Sequence, residues 1–216
     1  MKNGLIGGTM EKKIEHIKEL VINFEGKNRK NREGLFFVLS GSSGVGKNTL
    51  LNHALEQIDG IYYLPSITTR EIRKGERQGF PYFFVSRSQF EKMIEEKTFL
   101  EWKRIHSGDY YGTHLPTITY ALNNGYDIIT DMDVLGCEEV MNRFPKNAIS
   151  IFIKHPSVEE LRERLTKRES NPEVIAKRLE RVAMEMSYID KYQYVIVNDD
   201  LQRAVKELVK ILKQYT

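Results

Sequence analysis

From residue 35 onward, wholly apolar runs alternate with stretches whose apolar residues recur at helical spacing. "LFFVLS", "GYDIITDMD", "AISIFIK" and "YVIVNDD" are each bounded by turn signals, as buried strands are. "NTLLNHALEQI", "VLGCEEVMNRF", "SVEELRERLTKR", "NPEVIAKRLERVAMEMSYIDKY" and "LQRAVKELVKILKQY" fall between or after them with a helical period. Pro172 stands near the start of its helix, where proline is tolerated. Ser157 with Glu160 reads as a capping box. Such alternation predicts a parallel sheet between helical layers, the α/β class.

Two regions depart from the alternation. Residues 61–113 ("IYYLPSITTR", "FPYFFVS", "FLEWKRIHSGDYYGT") are rich in Tyr, Phe and Thr, with turn-prone glycines and one helical stretch, "SQFEKMIEE". They are expected to form an inserted, mainly antiparallel subdomain. Residues 1–33 read as an N-terminal extension: one helix in "EKKIEHIKELVINF", then a polar, basic linker in "EGKNRKNREG". It is expected at the surface with no part in the chemistry, an oligomer contact being the other use.

"GSSGVGKNTL" sits between the first strand and the first helix. Gly41, Gly44 and Gly46 allow backbone angles closed to other residues, so successive amides can converge on an anion at a helix N-terminus. Lys47 would add a mobile positive charge for the outer phosphates. Asn48 departs from the pattern, because this position usually offers a hydroxyl to Mg²⁺. Its carbonyl oxygen is a poorer ligand, and Thr49 points about 100° away round the helix. The loop is therefore expected to bind nucleotide, with Mg²⁺ held mainly by phosphates and water and Asn48 as an optional ligand.

A phosphate loop does not choose a reaction, so the rest of the site must. Arg70 and Arg73 can grip one phosphate from two sides, each as a planar fork of donors. Glu101, at the end of an aromatic strand, can accept the paired N–H donors of a guanine edge, which adenine lacks. Taken singly, each of these reads first as a surface charge, and the tyrosines nearby as core.

Together the segments resemble the guanylate kinase family of P-loop nucleoside monophosphate kinases. "GSSGVGK", "TTREIRKGE", "PYFFV", "FLEW", "YYGT", "DMD", "HPSVEELRERL", "AKRL" and "VIVNDDL" follow in family order over about residues 35–215. The resemblance implies a P-loop core (35–60 and 114–216), a GMP-binding subdomain (61–113) and a helical lid (about 164–178). It implies that Gly41, Ser42, Ser43, Gly44, Val45, Gly46, Lys47, Asn48 and Thr49 hold ATP, with Asn198 near the adenine. Asn198 also reads as a helix cap. Ser66, Glu101, Thr113 and Asp133 would meet the guanine or lie beside it, while Arg70, Arg73, Tyr82 and Tyr111 would hold the GMP phosphate. Asp131 would lie near metal and phosphates, where the alternative reading is a solvated strand end. Arg164, Arg168 and Arg178 would close over the triphosphate, or else be ordinary solvated helix arginines.

The implied activity is MgATP-dependent phosphorylation of GMP, and of dGMP, in purine metabolism. Two other readings remain: a non-catalytic module that binds protein partners through the GMP face, and a same-fold kinase for another phosphorylated acceptor. The bulk numbers bound the partners. The net charge of +3, from 33 basic and 30 acidic residues, gives no reason to invoke nucleic acid or a membrane surface. The single cysteine excludes an intramolecular disulfide and suits a reducing cytoplasm. No run approaches the ~18 apolar residues of a membrane span, and the first residues lack a secretory pattern. A cytoplasmic monomer or homodimer is expected.

Overall fold

A computed structural model describes Phe24 and residues 31–215, apart from residues 43, 106, 158, 160–161, 164–165 and 167–170 and the side chain of 178. Five strands form one wholly parallel sheet: β1 (Phe36–Gly41), β2 (Ile61–Tyr63), β7 (Asp127–Asp131), β8 (Ala148–Lys154) and β9 (Tyr194–Val197), in the order β2-β7-β1-β8-β9. The apolar runs are explained by this placement, because β1 is central and buried on both faces. Its odd-numbered side chains Phe37 and Leu39 pack with helices α1 (Lys47–Leu55) and α6 (Leu201–Lys213). Its even-numbered Phe36 and Val38 pack with α3 (Leu115–Asn123) and α4 (Val134–Arg143). The chain leaves β1 to build strands on one side and returns to add β8 and β9 on the other, so β1 lies at a topological switch point, where ligands bind.

The second sheet has the order β4-β3-β6-β5, from β3 (Ser66–Thr68), β4 (Tyr82–Phe84), β5 (Phe99–Arg104) and β6 (Tyr110–His114). It is antiparallel except for the β3–β4 pair. One face packs on α2 (Arg87–Glu95) through Ile67, Phe83, Phe90 and Tyr110. Residues 61–113 were expected to belong to the insertion as a block; instead Ile61–Tyr63 pairs with β7 in the first sheet, so the second sheet starts at Ser66. Nothing in "IYY" distinguishes an edge strand of one sheet from a strand of the other; long-range pairing decides it.

Helix α3 has no counterpart among the predicted elements. Its β-branched residues Thr117, Ile118 and Thr119 disfavour helix locally, yet Pro116 opens its first turn and Ile118, Ala121 and Leu122 bury a helical stripe. Helix α5 (Pro172–Met186) starts at the predicted proline, capped by Asn171, and ends sooner than its apolar pattern, giving way to a short 3₁₀ turn at Ile189–Lys191. The capping box at Ser157 and Glu160 lies outside the described residues, as does the extension except for its end. There Phe24 stacks on Tyr126 (4.6 Å) and meets Tyr62 edge-on (5.1 Å). Among the described residues, no helix is long and apolar enough to cross a membrane.

The start of the core is fastened by one buried acid. Asp127, 1% exposed, takes both Arg32 nitrogens at 2.9 and 2.8 Å and the Leu35 amide at 2.8 Å. Arg32→Ala removes two charge-assisted hydrogen bonds to this carboxylate and is expected to cost about 2 kcal/mol, since hydrogen bonds to charged groups contribute roughly 1.5–3 kcal/mol. Urea denaturation checks this, with the transition slope unchanged.

Candidate active site

The loop between β1 and α1 lies at the carboxyl edge of the parallel sheet, and its glycines are required by geometry. A Cβ on Gly41 would fall 2.0 Å from the Ile153 carbonyl oxygen, so strand β8 could not pair as closely. Gly46, with φ +96°, turns the chain into α1, and Leu50 N donates to its carbonyl at 3.0 Å. The Lys47 ammonium curls back into the loop, donating to the Gly41 carbonyl at 2.7 Å and the Ser42 carbonyl at 3.4 Å. Burial lowers its pKa; Asp131, Glu185 and Asp133 oppose that shift. Among the described residues the enclosed Ser42 hydroxyl has no hydrogen-bond partner, a polar atom that a bound phosphate would suit.

Asn198 supports the loop from β9. Its side-chain amide donates to the Val45 carbonyl at 2.7 Å, and it sits so close to Gly46 that a Cβ there would lie 2.9 Å from Nδ2. The segment "NDD" also supplies a helix cap, through its last residue: Asp200 caps α6, accepting from the Arg203 amide at 2.8 Å. Asn48 and Thr49 are exposed on the first turn of α1.

Asp131 ends β7, next to the loop. Burial raises its pKa, against the pull of Lys47. Asp131 lies in register with Leu39, two residues before the loop. Tyr63, in the adjoining strand β2, donates to the Pro81 carbonyl at 3.4 Å, so the edge of the first sheet meets the start of β4 here.

That aromatic end holds the predicted phosphate grip. Arg70 is half-buried, its guanidinium 5.4 Å from the ring centres of both Tyr82 and Phe84. Tyr82 meets Tyr111 edge-on at 5.6 Å, and Tyr111 hydrogen-bonds Arg70. Glu76 occupies the arginine's fork at 3.0 and 2.8 Å and also accepts the Arg73 amide at 2.8 Å. Ser66, Arg70, Tyr82 and Tyr111 are brought together on this sheet; the Arg73 side chain is exposed beside them.

Further along, β5 and β6 pair Glu101 with Thr113, whose buried hydroxyl donates to Glu101 Oε1 at 2.7 Å. Among the described residues Oε2 has no partner, and Glu101 lines a cavity of about 600 Å³ together with Lys103 and Asp133. Burial pushes the Glu101 pKa up, more than Thr113 and Lys103 pull it down. Asp133 caps α4 through Oδ1, which accepts the Gly136 amide at 3.0 Å, while Oδ2 is held by Lys103 at 2.6 Å and Arg181 at 3.4 Å. Burial would raise its pKa, but these partners outweigh it and hold the carboxyl below the usual range.

One family model, Guanylate kinase, matches residues 34–215 of this chain. The chain belongs to the guanylate kinase family. A guanylate kinase of Desulfitobacterium hafniense (strain Y51) is 43% identical over 180 residues, spanning 83% of this chain and 89% of that one. The guanylate kinase of Haemophilus influenzae (strain 86-028NP) is 40% identical over 184 residues, spanning 84% and 88%. The crystal structure of guanylate kinase from Anaplasma phagocytophilum superposes with a TM-score of 0.68 at 31% identity, covering 85% of this chain and 86% of the other.

The three arginines expected to form a lid are placed only in part. Arg178 lies in α5, whereas Arg164 and Arg168 lie outside the described residues. Five side chains around the site went unassigned from sequence: Tyr63, Glu76, Lys103, Arg181 and Glu185. Glu185 carried a signal, because it falls one helical turn after buried Val182 and is itself 2% exposed. An acid on the apolar stripe of a helix has a partner or a task; here Arg181 holds it at 2.9 Å.

Among the described residues, no group of three or more His, Cys, Asp and Glu side chains is gathered to hold a metal ion. Asp131 at the end of β7 and the exposed Asn48 on the first turn of α1 each offer an oxygen near the loop. Mg²⁺ accepts so few protein oxygens, because it keeps several waters and binds substrate phosphates.

Proposed function

We propose that this chain transfers the γ-phosphoryl group of MgATP to the phosphate of GMP, giving ADP and GDP. The observation that carries it is the place of Asp131: it ends β7 in register with Leu39, two residues before the phosphate loop, while Tyr63 of the adjoining strand donates to the Pro81 carbonyl at 3.4 Å, next to Tyr82 of the arginine–tyrosine cluster. In this reading the loop and the cluster hold two phosphates on either side of that carboxylate, as transfer between two nucleotides requires.

In this reading the amides of residues 41–46 and the Lys47 ammonium hold the donor's phosphates, and Asn198 keeps the loop in shape. Arg70, Arg73, Tyr82 and Tyr111 hold the acceptor phosphate. Glu101 and Thr113 take the guanine edge, with Ser66 and Asp133 beside it. Arg164, Arg168 and Arg178 close over the triphosphate and stabilise charge in transit, while closure excludes water that would waste ATP. Mg²⁺, brought with the phosphates, neutralises charge that develops on the transferred group. No covalent enzyme intermediate is needed.

A coupled ADP-release assay with GMP, AMP, CMP and UMP, with and without Mg²⁺, tests the reading. GMP is expected to be preferred and Mg²⁺ required; ADP release that ignores GMP would overturn it. Glu101 also confers a pH signature. Its carboxylate form accepts the guanine donors, and its raised pKa means that this form is lost at a higher pH than for an exposed glutamate. The kcat/KM for GMP is expected to fall as pH is lowered through that pKa. Glu101→Gln is expected to remove this limb and cut the GMP preference over AMP by roughly tenfold to a hundredfold.

A further inference from the structure

Of the two lysines that line the base pocket, Lys97 and Lys103, it is Lys103 that reaches Asp133, and the functional reading leaves it without a task. Alternation along β5 puts it on the same side as Glu101, and the register places Glu101 opposite Thr113 and Lys103 opposite Tyr111. Both side chains line the cavity of about 600 Å³, with Asp133 across from them. The Lys103 ammonium rests on Asp133 Oδ2 at 2.6 Å and is near enough to Glu101 to favour its charged form. Its side chain remains 46% exposed, so it is held at its tip by one ion pair and is otherwise loose. A partly exposed ion pair of this kind is weak and exchanges readily for another acceptor.

Glu139 and Lys97 also line the cavity, but where Lys103 reaches across it the polar groups are the Glu101 and Asp133 carboxylates and the Lys103 ammonium. Guanine carries the opposite set: N–H donors at N1 and the 2-amino group, and acceptors at O6 and N7. Lysine is among the side chains that read the O6/N7 edge of guanine, and adenine puts an amino donor where guanine has O6. An ammonium there attracts guanine and repels adenine, so one residue gives both halves of the discrimination.

We propose that Lys103 is a base-specificity residue whose ammonium moves from Asp133 to the O6 edge of guanine when GMP binds, an inference that rests on the GMP kinase reading. The exchange leaves Asp133 Oδ2 with Arg181, 3.4 Å away, as its remaining charged partner among the described residues. Glu101 then reads what guanine donates and Lys103 what it accepts.

The test compares wild type with Lys103→Met and Lys103→Arg on three acceptors: GMP, its 6-thio analogue, in which a weaker acceptor replaces O6, and IMP, which keeps O6 but lacks the 2-amino group. Lys103→Met is expected to raise the KM for GMP roughly tenfold with kcat little changed, the scale of one hydrogen bond to a charged group. The wild-type preference for GMP over 6-thio-GMP is expected to collapse toward unity in Lys103→Met and to return in Lys103→Arg. The preference for GMP over IMP is expected to stay. If Lys103 serves only to place Asp133, the IMP preference falls and the 6-thio preference survives, which overturns the assignment. Unchanged constants in Lys103→Met, with a thermal melt showing it folded, overturn it as well. A wild-type protein that phosphorylates none of the three sinks the GMP kinase reading itself.

Discussion

Lys47→Met is expected to reduce GMP phosphorylation by about 10³-fold or more while leaving the protein folded. The loop's amides fix where an anion sits, but the ammonium is the only mobile charge in the cradle, reaching the Gly41 and Ser42 carbonyls at 2.7 and 3.4 Å. Preorganised charge aimed at a transferring phosphoryl group is typically worth 10²–10³ or more in rate when one donor is removed. Stability should respond differently. Burial lowers the Lys47 pKa, so the charged form is held in place at a desolvation cost that its neighbours only partly offset. Methionine fills the same stem volume without that cost, and the melting temperature is expected to stay within about 4 °C of wild type. A folded Lys47→Met with unaltered kcat would remove the loop from the mechanism.

Arg70→Met carries the second large effect, an expected loss of 10²–10³ in kcat/KM for GMP, the order given by deleting a charged transition-state contact. The guanidinium is fixed by its Glu76 fork and by the rings of Tyr82 and Phe84, so its geometry is set before any phosphate arrives. Removing it also strands the Glu76 carboxylate, whose side chain is 18% exposed. Some stability should go with it, although less than for a shielded pair, because solvent screens the two charges. Arg70→Met/Glu76→Gln separates the two consequences. The double variant is expected to regain the stability, measured by urea denaturation, and none of the activity. Recovery of both would make Arg70 a fastening for its loop rather than a ligand for the acceptor phosphate.

Much of this site was visible along the chain because its parts are local. A phosphate loop needs glycines, a lysine and a following helix within ten residues, and residues 41–50 hold all of them. The arginine pair and the glutamate–threonine pair lie in short ordered motifs, and the structure brings the first onto the aromatic end of the second sheet and the second into its cavity. Partners that come from distant segments were not visible. Glu76 closing on Arg70 depends on a turn, Asn198 reaching Val45 spans 153 residues, and Lys103 meeting Asp133 joins the two sheets. None of these pairs has a spacing that a pattern could carry.

The sequence by itself determined the alternation that makes a parallel sheet, the phosphate loop at its edge and the family motifs that follow it. Apolar period and motif spacing are properties of neighbouring residues, and solvent reads them the same way wherever the segment ends up. Only the tertiary structure decided that residues 61–63 join the core sheet, that residues 115–123 coil against weak local propensity, and which charges share a cavity. Pairing, burial and charge compensation are properties of atoms far apart in the chain, and their energies appear only once the two sheets stand side by side.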